Sequence, residues 1–174
     1  MPFNATKKYD DCLDLLSYTE SQRYKTLLSI YERDIYFNKK LIFFEKEVRP
    51  TQMNSDESTK MVLFSHLTCK SDSEEGVKKR DNFDMRRSER LHWIRHHIDA
   101  CGGKGVFIFD HEDRIRGKNT TRTYIYDKPH KYVIVLEPKR SNQEYFYLLT
   151  AYYLDEEYGE KQIDKKLKNG TSRL

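Results

Sequence analysis

The chain has 174 residues, enough for one domain with an added element, with 37% apolar residues against 34% charged ones. Aromatics at 13%, among them 13 Tyr and 9 Phe, argue against wholesale disorder, and the widely spaced Cys12, Cys69 and Cys101 argue against a disulfide framework or a cysteine-rich zinc site. The net charge of +4 is uneven: Lys78, Lys79, Arg80, Arg86, Arg87, Arg90, Arg95 and Lys104 make the middle of the chain basic, which suits a polyanionic partner.

The opening "MPFNATKKYDDCLDLL" has no apolar core of a secretion signal, and no run is long enough to span a membrane. The sequence therefore predicts a cytoplasmic protein with no membrane partner. Residues 6–18 read as a helix through Tyr9, Leu13 and Leu16. Leu27, Ile30, Asp34, Phe37, Leu41, Phe44 and Val48 alternate spacings of three and four, with no Gly or Pro before Pro50. That is a helix with a narrow apolar seam, although "KLIFFEK" also reads as a strand. Residues 1–50 are thus expected to form a helical hairpin that packs on the body of the protein or on a second copy as a homodimer. Residues 51–174 form the remaining α+β unit.

Within that unit, "TQMNSDESTK" (51–60) is a polar linker, "MVLFSHL" (61–67) a short strand or buried turn, and "SDSEEG" begins a loop. "FDMRRSERLHWIRHHIDACGG" is a helix with Asp84 as its cap and Gly102–Gly103 as its stop. The period then changes to two, giving strands at 105–109, 122–126, 131–137 and 145–154. The loops between them are too short for helical crossovers, so the strands run antiparallel. A polar helix closes the chain. The expected fold is α+β: N-terminal helices followed by a helix and a four-stranded antiparallel sheet.

Several side chains are of types that do chemistry. On a helix over 86–98, Arg86, Arg90, Trp93 and His97 form one stripe beside the apolar face of Leu91, Ile94 and Ile98. Two guanidiniums, an indole and an imidazole suit RNA, the arginines taking phosphates and the indole a base. The plainer reading is a core-edge Trp93 under solvated arginine stems. His92 and His96 form an HxxxH pair without the glutamate of zinc proteases, so exposed helix histidines are the simpler account. "DHEDR" (110–114) clusters carboxylates as a magnesium site does, but falls between strands, where Asp serves turns. Alternation puts Arg122, Tyr124 and Tyr126 on one sheet face, and Phe146, Leu148, Thr150, Tyr152 and Leu154 together on a face of the last strand. Arg, Tyr and Thr on a sheet face hold a phosphate without a metal or any other cofactor. Thr150 is equally a good strand former. His66 in "FSHLT" is a candidate general base or a satisfied core residue.

Taken in order, "FDMRRSERLHWIRHHID", "RTYIYDKPHKYVIVLE" and "YFYLLTAYYLD" resemble the phage- and toxin-associated ribonucleases of the Barnase–EndoU–colicin–RelE superfamily. The resemblance covers roughly residues 61–165. It implies a small metal-independent endoribonuclease, associated with phages, toxins or defence, whose partners are RNA and an antitoxin or immunity protein. Carried over by position, Arg122 matches the sheet arginine, Thr150 the threonine of the last strand, and Arg90 and Trp93 the helix positions. The histidine is not fixed by motif; His66 is the first choice, His97 the second and His130 the third. The implied site is catalytic His66, Arg122, Thr150 and His97, with Arg86, Arg90, Trp93, Tyr124 and Tyr152 binding RNA. The competing reading is an inactive RNA- or protein-binding module that uses the basic helix 84–100.

Overall fold

The computed structural model describes residues 2–36, 40–51, 59–70, 82–139 and 144–174. The linker expected at 51–60, the loop beginning "SDSEEG", Phe37, and Lys78, Lys79 and Arg80 of the basic stretch fall wholly or mostly outside the described residues. In chain order the elements are α1 (Pro2–Ala5), α2 (Glu20–Tyr31), β1 (Leu41–Phe43), β2 (Lys46–Pro50), α3 (Thr59–Thr68), β3 (Cys69–Lys70), β4 (Asn82–Phe83), α4 (Met85–Ser88), α5 (Trp93–Ala100), β5 (Val106–Ile115), β6 (Lys118–Asp127), β7 (Tyr132–Pro138), β8 (Tyr145–Tyr153), α6 (Glu157–Asn169) and β9 (Thr171–Ser172).

Among the described residues the main sheet has seven strands, in the order β1-β2-β8-β7-β6-β5-β9. It is mixed and curls into a half-barrel, which corrects the four-stranded antiparallel sheet, although the α+β class stands. The extra strands come from two places. The C-terminal half of the expected seam helix is the hairpin β1–β2, turned by Phe44 and Glu45 at φ 45° and 65°. Its spacing imitates a helix, but "LIFFEKEV" is rich in residues that fill a pleated, half-buried surface. Strand β2 then pairs parallel with β8, Val48 opposite Phe146. At the far edge β9 pairs with Phe109 and Asp110 of β5.

The helical hairpin expected over residues 1–50 is therefore absent. Residues 6–18 are irregular; Leu13 and Leu15 are buried while Leu16 is 82% exposed. Helix α2 begins at a capping box between Thr19 and Gln22 and runs on as one π-helical turn to Tyr36. Its Leu27, Ile30 and Tyr31 are buried in the chain's own core, so the seam does not offer them to a second copy. Residues 61–67, expected as a strand or turn, lie inside α3, where Leu63, Phe64 and Leu67 face the core. The basic helix is broken: Asp84 caps α4 through a 3.1 Å bond from the Arg87 amide, and residues 89–92 are turns before α5 starts. Its end is as expected, Cys101 in the left-handed region (φ 48°) followed by Gly102 and Gly103.

Two further features position the side chains of the sheet. Strands β5 and β6 form one long hairpin closed by Arg116 and Gly117 at φ 48° and 78°, a two-residue turn that suits the strand twist. "DHEDR" is thereby strand, and its side chains alternate between faces. In β8 the register slips: Thr150 faces Val135 but Leu148 faces Leu136, leaving Leu149 as a bulge. Phe146 and Leu148 consequently join the core made with α2, α3 and α5, together with Ile108, Ile125, Ile134 and Leu136. Thr150 and Tyr152 turn to the other face. There α6 covers Phe109, Tyr124, Tyr126, Val133 and Val135 with Ile163 and Leu167.

Candidate functional site

Beyond the reach of α6, this second face carries polar residues in register. His111 lies opposite Arg122 across β5–β6, and Glu137 opposite Tyr147 across β7–β8. Since Thr123 pairs with Leu136, Arg122 and Glu137 are the next step of the same ladder, with Arg122 Nε 3.9 Å from Glu137 Oε2. His111, Arg122, Glu137 and Tyr147 thus form a row across four adjacent strands.

The row is braced by Asp113, two residues along β5 on the same face. Its Oδ1 lies 2.8 Å from His111 Nδ1 and accepts a 2.6 Å bond from Lys166 Nζ. Its other oxygen accepts the Tyr124 hydroxyl and lies 3.7 Å from Arg122 Nη1. Burial works to raise the Asp113 carboxyl, but the donors Lys166, Tyr124 and His111 more than offset it and hold it below its ordinary value. An ionised Asp113 fixes a proton on His111 Nδ1 and leaves Nε2 for chemistry. Burial, and then the neighbouring Asp113, push the Tyr124 phenol well up. The same causes push Tyr152 up to about 12, against the pull of Arg87 and Arg122. Both tyrosines are therefore neutral donors at ordinary pH. Arg122 is half-buried, and its Nε makes no hydrogen bond among the described residues.

Of the residues proposed from the sequence, Arg122, Tyr124, Thr150 and Tyr152 share this face. His66 is near it, at the end of α3, with Nδ1 3.3 Å from the Leu149 carbonyl. The His66 carbonyl accepts from Thr150 Oγ1 at 3.0 Å and from Arg87 Nη1 at 2.8 Å. The Thr150 hydroxyl proton is thus committed to the end of a helix, and its oxygen retains only acceptor capacity.

The helix residues lie elsewhere. His97 is 2% exposed on the opposite face of the sheet, with Nε2 3.2 Å from Asp127 Oδ2. Asp127 also accepts the Tyr9 hydroxyl at 2.7 Å and lies 3.0 Å from His130 Nδ1, so His130 belongs to the same opposite-face cluster. Burial works to raise Asp127, but His97, Tyr9 and His130 hold its carboxyl far below the usual range. A sheet separates this cluster from Arg122, so His97 and Arg122 do not share a site, which corrects the expectation that they act together. Trp93 is also 2% exposed; its indole donates to the Asp11 carbonyl at 3.0 Å and is packed by Tyr9, Tyr132 and the Arg90 guanidinium. It presents no open face to a base, which corrects the stacking role drawn from the helical stripe. Arg90 is folded back onto Tyr153 and the Arg86 carbonyl, while Arg86 is exposed over Tyr153. The stripe dissolves because the helix is interrupted between Arg86 and Trp93. The HxxxH pair parts for the same reason: His92 reaches the Asp11 carbonyl at 2.9 Å, and His96 stacks on Tyr9 at 4.2 Å.

Sequence reasoning missed His111, Asp113, Glu137 and Lys166. The first two sit in "DHEDR", whose polar composition reads as loop although it is strand. Glu137 was legible as the lone charged residue ending "YVIVLE". Lys166 depends on where α6 docks, which no local signal states. Among the described residues no group of three His, Cys, Asp or Glu side chains is arranged to hold a metal, and no helix is long and apolar enough to cross a membrane. Comparison with known proteins returned no matching family model, no matching curated protein and no matching solved structure.

Proposed function

We propose that the chain is a metal-independent endoribonuclease that cleaves RNA by attack of a ribose 2′-hydroxyl on the neighbouring phosphate. Support comes from the row His111–Arg122–Glu137, which sets an imidazole and a carboxylate on either side of a guanidinium. Adjacent strands are about 4.8 Å apart, so His111 and Glu137 stem from backbone about 10 Å apart and lean over Arg122 from opposite sides. A phosphate seated on Arg122 has one group for each in-line oxygen.

Glu137 takes the proton of the 2′-hydroxyl, and that oxygen bonds to phosphorus. The bond from phosphorus to the leaving 5′-oxygen breaks, and protonated His111 Nε2 supplies its proton. The products are a 2′,3′-cyclic phosphate and a 5′-hydroxyl. Arg122, with the Lys166 ammonium near it across Asp113, neutralises the extra charge on the phosphorane. DNA lacks the nucleophile and is spared. Asp113 is a positioning residue that acts through His111.

The test is end-group analysis of mixed RNA incubated in EDTA with wild type and with Arg122→Ala. Cyclic-phosphate ends from the wild type and their loss in the variant are expected. RNA left intact by wild type at high concentration overturns the reading. Salt-sensitive binding without cleavage would favour the inactive binding module instead. The proposal puts the protein in the cytoplasm, where its RNA is and where Cys12, Cys69 and Cys101 remain free thiols. As the resemblance implies, such an enzyme acts as a toxin and is restrained by an inhibitor protein.

A further inference from the structure

The outer edge of β5 is only partly covered. Strand β9 pairs with Phe109 and Asp110, while β5 runs on to Ile115 before the hairpin turns at Arg116 and Gly117. Among the described residues no strand lies beside His111–Ile115 on that side. The hydrogen-bonding phase of the edge is set by the Arg173 amide, which donates to the Ile108 carbonyl at 2.9 Å. Outward and inward backbone groups alternate along an antiparallel strand, so Asp110, Glu112 and Arg114 turn theirs outward as Ile108 does. Glu112 and Arg114 therefore aim N–H and C=O groups at a side where no described strand receives them. Both residues are exposed, and their side chains share the face opposite that of His111 and Asp113.

An open edge of this kind is a template for a further strand. We propose that its occupant is a second copy of the chain, the two β5 strands pairing antiparallel about a two-fold axis at Asp113. In that register Glu112 meets Arg114 of the second copy, and Arg114 meets its Glu112. Each is a pair that exchanges two backbone hydrogen bonds, and each sets opposite charges directly across from one another. The adjacent registers fail, because an axis at Glu112 or at Arg114 sets that residue against its own like charge. Length agrees as well. The incoming strand ends with its Ile115 opposite His111, and its turn at Arg116 and Gly117 falls where β9 begins. Asp113 faces its own copy across the axis, but each carboxylate arrives already held by Lys166, Tyr124 and His111. The pairing sets Ile115 of each copy beside His111 of the other, at the end of the polar row. It uses only the edge of β5 and stands apart from the ribonuclease reading.

The experiment is sedimentation velocity of the full chain over a concentration series, with charge reversals at the edge. Mass rising from one chain to two, with its midpoint in the micromolar range, is expected. Glu112→Arg sets arginine against arginine in both pairs, and Arg114→Glu sets glutamate against glutamate. Each variant alone should associate about tenfold or more weakly than wild type, with an unchanged unfolding midpoint. Mixed in equal amounts, the two variants match opposite charges in both pairs and should associate to within about threefold of wild type. A chain that stays monomeric at millimolar concentration, a dimer indifferent to both reversals, or a mixture as weak as its components overturns the inference.

Discussion

Asp127 is 1% exposed, and Tyr9, His97 and His130 all face it. Removing such an acceptor strands donors in the core, so Asp127→Ala should lower stability by about 3–5 kcal/mol in urea unfolding at pH 7. The pH dependence has a definite sign. The folded carboxyl is held far below its ordinary value by those donors, whereas an unfolded Asp titrates near ~3.9. Its contribution is complete above that unfolded value and is lost as the pH falls towards the folded one. The stability gap between wild type and Asp127→Asn should therefore shrink from pH 7 to pH 3; a constant gap would refute the linkage. Glu137 is the opposite case, the carboxylate that the proposed reaction uses as its base. Glu137→Gln should cut cleavage by about 10²- to 10⁴-fold. Because the residue is only half-buried, the unfolding free energy should move by no more than about 0.5 kcal/mol. At this scale the sequence was partly legible. Simple alternation found Arg122 and Tyr124, but a helical wheel drawn through residues 86–98 misplaced Trp93 and His97, because a wheel assumes an unbroken helix.

At the scale of elements, turns and one bulge decide what faces where. Strict alternation would put Phe146, Leu148, Thr150 and Tyr152 on one side of β8; the bulge at Leu149 separates the two apolar residues from the two hydroxyls. Deleting Leu149 removes the extra residue and leaves Leu148 opposite Leu136 and Thr150 opposite Val135, so both faces of β8 should survive and the variant should keep a cooperative unfolding transition. Loss of the transition in the deletion variant would mean that the bulged backbone is itself required for the packing of β8. Gly117, at φ 78°, closes the β5–β6 hairpin with open space around it. Gly117→Val should cost about 1–3 kcal/mol through backbone strain alone. The bulge left no trace in the sequence, since bulges answer to cross-strand packing. The Arg116–Gly117 turn was readable in principle, but the polar residues on both sides of it made strand look like loop. The strands at 122–126, 131–137 and 145–154, the Asp84 cap and the glycine stop were legible because each rests on local chemistry.

For the whole molecule the sheet is a single continuous body whose ends come from opposite ends of the chain. Strand β2 lies beside β8, and Leu41, Phe43 and Val48 are buried in the same core as Phe146 and Leu148. Removing residues 1–50 should uncover the long edge of β8 together with that apolar surface, and light scattering should report aggregation in place of a soluble monodisperse domain. This pairing was the least legible part of the fold, because a parallel neighbour is chosen by residues far away and announces nothing locally. It also fixes an order of events. Glu47 meets Tyr145 across roughly a hundred intervening residues, a closure that is slow and must wait for the later partner. The bracing of the polar row is later still, since Lys166 arrives on α6, which follows β8 in the chain. During synthesis, then, the brace on this face is added only after β5, β6, β7 and β8 have all been made. Until α6 has followed, Asp113 lacks the Lys166 ammonium that helps hold its carboxylate, and the support behind His111 is incomplete.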